Sequence, residues 1–152
     1  MRHDLSTQDK DFYDSFISGA VRPGDFHHRE HVKLAYIFLV QYGAEEAAPK
    51  FRDALQAFLR HHGIDAAKYH ETMTQAWLLA VWHFMQKMPV CAGGETFLQA
   101  NPILANASIM FTHYSRDVIS SEQARREFVA PDLDPIPRYG RRAGPSAGLR
   151  SS

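Results

Sequence analysis

Apolar side chains recur along this chain every three or four residues, the period of a helix. Phe12, Tyr13, Phe16 and Ile17 follow Ser6 and Asp9, a helix-start signal, until the run VRPGD at 21–25 interrupts them. A second stripe, Leu34, Ala35, Phe38 and Tyr42, predicts a helix capped by Asp25 and stopped at Gly43. Phe51, Leu55, Phe58 and Leu59 predict a third from about Ala44 to His62, with Pro49 favouring a start nearer Ala48. Asp65 heads a fourth that runs to Met88 and ends before Pro89. Beyond Gly93 and Gly94, Glu95–Ala100 and Ile103–Tyr114 read as shorter helices divided by Asn101 and Pro102. Ser120 with Gln123 opens a last one ending near Val129. No segment sustains the alternation of a strand, and no internal repeat is visible. The fold class expected is all-α, a small single-domain bundle of about five to seven helices.

Composition leaves that picture standing and narrows the partners. The 152 residues fit one domain, expected over 1–137, with an Arg-, Gly- and Pro-rich tail at 138–152. Lys and Arg together number 17, equal to Asp plus Glu, so no overall field favours nucleic acid or an anionic membrane. The apolar runs fall well short of the ~20 residues a membrane helix needs. Cys91 is the single cysteine and the N-terminal residues lack a signal-peptide core, which points to the cytoplasm.

The candidate chemistry lies at two predicted helix starts. In "FHHREHVKLAY", His28 and His31 are three apart, about 60° around a helix, and His31 leads into the apolar stripe. In "YHETMTQAW", His70 heads a stripe through Met73, Trp77 and Val81, with Glu71 at its edge. Up-down-up packing of the second, third and fourth helices would make the second and fourth parallel and bring these starts to one end. His28, His31 and His70 are then candidate metal ligands, with an open position. Glu71 would be a fourth ligand or a general base. Against this stand simpler readings: a core histidine that is merely hydrogen-bonded, and a first-turn acid that complements its helix dipole.

Other signals carry less. "HHREH" matches a zinc-protease pattern by accident in so small a chain; His61 and His62 suit a helix C-terminus; His83 points away from His70; His113 has no supporting spacing; Cys91 has no activating neighbour.

The segments "FHHREHVKLAYIFL", "YHETMTQAW" and "YSRDVISSEQARREFVAPDLDPIP" together resemble a family of small, mostly uncharacterised bacterial all-helical proteins. Its pattern is an aromatic, one residue, His, two residues, His; then Tyr-His-Glu-Thr-Ile-Thr; then Tyr-Ser-Arg and a closing Pro-Asp-Leu-x-Pro. The resemblance runs from about Leu5 to Pro137 and departs at Met73, where Ile is usual. It picks out His28 and His31 over His27, and then Tyr69, His70, Glu71 and Arg116. It implies the same polar cluster but no reaction.

The function expected is a small helical metalloprotein, a metal-dependent enzyme acting on a small molecule. Its site would be His28, His31 and His70 around one divalent ion (zinc, iron or copper), with Glu71 as base and Tyr69 and Arg116 as substrate groups. The alternatives are a non-catalytic metal- or small-ligand-binding protein, and a structural helical protein whose core histidines are satisfied internally.

Overall fold

A computed structural model describes residues 2–88 and 90–136, so the tail expected at 138–152 and the stop at Pro89 lie outside the described residues. The elements run β1 (Arg2–His3), α1 (Thr7–Ile17), α2 (His28–His61), α3 (Glu71–Lys87), β2 (Val90–Cys91), α4 (Gly94–Ala100), α5 (Arg116–Ile119) and α6 (Glu122–Arg126), with short 3-10 turns between them. The chain is mostly helical, as its periodicity predicts.

Ser6 and Asp9 start α1 reciprocally: Ser6 Oγ accepts from Asp9 N (3.0 Å) and the Asp9 carboxylate accepts from Ser6 N (2.9 Å). The buried Asp9 carboxylate also accepts from Gly94 N (2.9 Å), so one acid serves the positive ends of both α1 and α4.

The reversal of α2 shapes the core. Gly43, at φ 85° and ψ 166°, breaks it into helical halves at 28–42 and 44–61. Phe38 and Phe51 rings lie 5.1 Å apart, His31 and Phe51 5.3 Å, and Phe26 and Phe58 5.3 Å. In one straight helix His31 and Phe51 would be roughly 30 Å apart. The halves therefore fold back as an antiparallel pair. The second half is helical ahead of Pro49, which falls early enough to forfeit only the bond to the Glu45 carbonyl.

Along the first half Val32 and Leu34–Leu39 are all buried, because α1, the second half of α2, α3 and α4 all pack around it. α3 runs parallel to it. The His28 ring meets Trp77 at 4.5 Å near one end, and His3 bridges Tyr36 Oη (3.0 Å) and the Met85 carbonyl (3.0 Å) near the other.

Other expected boundaries moved for local reasons. Asp25 lies in a 3-10 turn and pairs with Arg22, and α2 begins two residues later than a cap at Asp25 would place it. Asp65 caps only the 3-10 turn Ala66–Lys68, and α3 starts at Glu71. The helix expected over Ile103–Tyr114 is instead two 3-10 turns, parted where Asn106 accepts from Ser108 N (3.0 Å). Ser121, not Ser120, caps α6. That helix ends at Arg126 because the next segment is drawn onto α3: Thr72 Oγ1 donates to the Glu127 carbonyl (2.8 Å) and accepts from Val129 N (3.0 Å). β1 and β2 pair in parallel over two residues, too short to leave a periodic trace. Among the described residues no helix is long and apolar enough to cross a membrane.

Replacing Gly43 by Ala forces a Cβ into a backbone region open to glycine alone. Urea denaturation should show a loss of roughly 1–3 kcal/mol, and unchanged stability would show that the reversal does not need this conformation.

Candidate functional site

The heads of α2 and α3 stand side by side, and each predicted site residue can be placed there. His70 is the N-cap of α3. Its Nε2 is 2.7 Å from the Ile119 carbonyl, which can only accept, so Nε2 carries the proton. Nδ1 is then a lone pair, and it accepts from Met73 N (3.1 Å). Both nitrogens are thus committed. His28 is fixed similarly on one side: Nε2 donates to the Leu104 carbonyl (2.9 Å). Of these three histidines, His31 alone has neither ring nitrogen in a hydrogen bond with a described residue.

These tautomers overturn the metal centre expected at His28, His31 and His70. Among the described residues no group of three or more His, Cys, Asp or Glu side chains could hold a metal ion. His70 has no lone pair left to give, and a metal would displace the bond that starts its helix. The metalloprotein reading, and with it a zinc, iron or copper ion at these residues, is withdrawn on that ground.

Glu71 faces the other way. Its Oε1 accepts from Arg52 Nε (2.9 Å) and Tyr69 Oη (2.6 Å), and its Oε2 from Arg52 Nη2 (2.8 Å) and Gln75 Nε2. Burial alone would raise its carboxyl, but the bonds from Arg52, Tyr69 and Gln75 outweigh it and hold it at about 2. A carboxylate so stabilised is a weak base, and the bidentate Arg52 pair makes it a structural anion. Burial first, then the Glu71 bond, pushes the Tyr69 phenol up.

Arg116 stands apart. Its guanidinium lies over the Phe111 ring at 4.3 Å, and its side chain is exposed. The segments around it nevertheless pair with the closing motif. Ser115 N donates to Asp132 (2.9 Å), Leu133 N to the His113 carbonyl (2.9 Å), and His113 Nδ1 to the Asp134 carbonyl (2.7 Å). His113 is therefore spent on backbone too.

Between the helix heads lies a half-open cavity of about 200 Å3. Phe26, Leu55, Phe58 and Leu59 form its apolar side, and His31, Tyr69, His70, Met73 and Thr74 the other, with the exposed Lys68 at the rim. His31 stands in an aromatic setting, 6.0 Å from the Phe26 ring and 5.3 Å from Phe51. Burial, with His28 adding to it, pulls its imidazole down from 6.5 to about 4, so it is neutral at ordinary pH. Thr74 Oγ1 donates to the His70 carbonyl (2.8 Å). Tyr69 also lines an open cleft of about 660 Å3, as does the Arg52–Glu71 pair.

Sequence reasoning missed Arg52, Lys68 and the phenylalanines of the cage. Gln75, four residues after Glu71, had a spacing signal, and Phe26 had one in the aromatic-x-His pattern. Arg52 and Lys68 had none.

No family model matches this chain, and neither curated proteins nor solved structures give a significant match. The chemistry of the site is therefore read from its geometry.

Two titrations test this geometry. Folded His31 binds its proton only near pH 4, while the unfolded residue does so near 6.5. Its contribution is therefore complete above 6.5 and lost as pH falls towards 4, at a cost of order 2 kcal/mol. In a histidine NMR titration the His31 ring should stay neutral at pH 5, and a midpoint near 6.5 would refute its burial. Glu71 is depressed, so its stabilisation is present above 4.5 and lost as pH falls through about 2. Glu71→Gln should cost about 2 kcal/mol at neutral pH, allowing for solvent around Arg52, and the difference from the parent should shrink towards pH 2.

Proposed function

We propose that this protein binds a small, largely apolar molecule non-covalently in the cavity between the heads of α2 and α3. The observation that carries the reading is the state of the polar groups lining it. Tyr69, His70 and Thr74 all have internal partners, while the neutral His31 imidazole has none among the described residues. His31 is half-buried and its ring nitrogens are reachable from the cavity, so they are open to a polar group of whatever occupies it. A neutral imidazole offers one donor and one acceptor, so it suits a ligand with a single uncharged or acceptor group.

Size supports a modest occupant. A closed apolar cavity of about 150 Å3 admits benzene, and this half-open one of about 200 Å3 has room for one ring, with a short substituent reaching its polar side. Binding is favoured over catalysis because no lining side chain is activated: the Tyr69 phenol is pushed up and Thr74 Oγ1 is committed to backbone. The single thiol, Cys91, is buried and free, which fits a reducing compartment such as the cytoplasm.

Benzyl alcohol is a suitable probe. Titrated into the full chain, it should shift the ring resonances of Phe26, Phe58 and His31 saturably, and Leu59→Trp, which fills the cavity, should abolish this. His31→Phe should weaken binding by up to about tenfold, one hydrogen bond's worth. Absence of saturable shifts at these rings, or binding that survives Leu59→Trp, defeats the reading.

A further inference from the structure

Resting on that reading of the cavity, we infer that its ligand class is the small organic monocarboxylate, an apolar ring or branched chain whose anionic group is held at the Lys68 rim. The cavity is polarised. Phe26, Leu55, Phe58 and Leu59 line one side, and the chain segment 68–74 with His31 supplies the polar one. An amphiphile with one polar end matches that division, whereas a uniformly apolar molecule leaves the polar side unmet.

Charge selects the sign of that end. Lys68 is exposed and forms no ion pair among the described residues. The acids nearest it in sequence are engaged elsewhere: Asp65 accepts from Ala67 N (2.9 Å), and Glu71 is bound to Arg52 across the Tyr69 ring. Neither Asp65 nor the Arg52–Glu71 pair lines the cavity, so among the described residues Lys68 is the charged side chain that an occupant meets. Inside, His31 adds no charge of its own, and a carboxylate oxygen can accept from its N–H. A cationic ligand would meet repulsion at the rim and no carboxylate within.

Three ring compounds of near-equal size separate the alternatives: phenylacetate, phenylacetamide and 2-phenylethylamine. Each is titrated into the full chain by NMR at low ionic strength. Phenylacetate should bind about fivefold more tightly than the amide, as a rim ion pair allows, and the amine more weakly than either. High salt should narrow the spread. In Lys68→Met the acid and amide should become equal, and Lys68→Glu should invert the order. An amide that binds the parent as well as the acid, or a preference for the acid that survives Lys68→Met, overturns the carboxylate assignment while leaving the cavity reading intact. If none of the three shifts the cavity rings saturably, the cavity reading itself falls.

Discussion

The His70 imidazole joins the head of α3 to the end of α5. Through Nδ1 it starts α3, and through Nε2 it fixes the Ile119 carbonyl at the end of α5 against that same helix head. Each bond requires the tautomer the other selects, so the two support one another. The segment after α6 returns to the neighbouring residue, Thr72, which both donates to and accepts from its backbone. The C-terminal part of the described chain is thereby pinned to the first turn of α3.

Fold class was legible because helical periodicity survives any arrangement of the helices: the core buries Phe51, Leu55 and Phe58 of one stripe, though of the stripe behind Ser6 it buries only Phe16 and leaves Ile17 exposed. Boundaries were less so. A cap is chosen by where the chain turns, and at α3 a histidine took the place expected of Asp65. The meeting of His28, His31 and His70 at one end followed from counting helices. Their chemistry did not, since a lone pair is free or spent according to distant carbonyls at Leu104 and Ile119. No spacing rule reports a partner 76 residues away.

Glu71 illustrates the same limit in charge. From sequence it is an acid beside a histidine, and in space Tyr69 and Arg52 turn it from the cavity and hold it ionised. Tyr69 lines both the apolar compartment and the charged one, and its hydroxyl bonds to Glu71. The Arg52–Glu71 charges line the cleft and not the cavity, whose charged lining side chain among the described residues is Lys68.

The Gly43 reversal has a consequence for how this sequence can vary. Most helical hairpins place a loop between their helices, and a loop absorbs an added or lost residue without disturbing either side. Here a single residue makes the turn. One residue gained between Gly43 and Phe51 would rotate the second half by about 100°, carrying Phe51, Leu55 and Phe58 off the face that meets His31 and Phe26. The two halves are geared together, and length changes in this hairpin should be tolerated, if anywhere, only beyond the cavity.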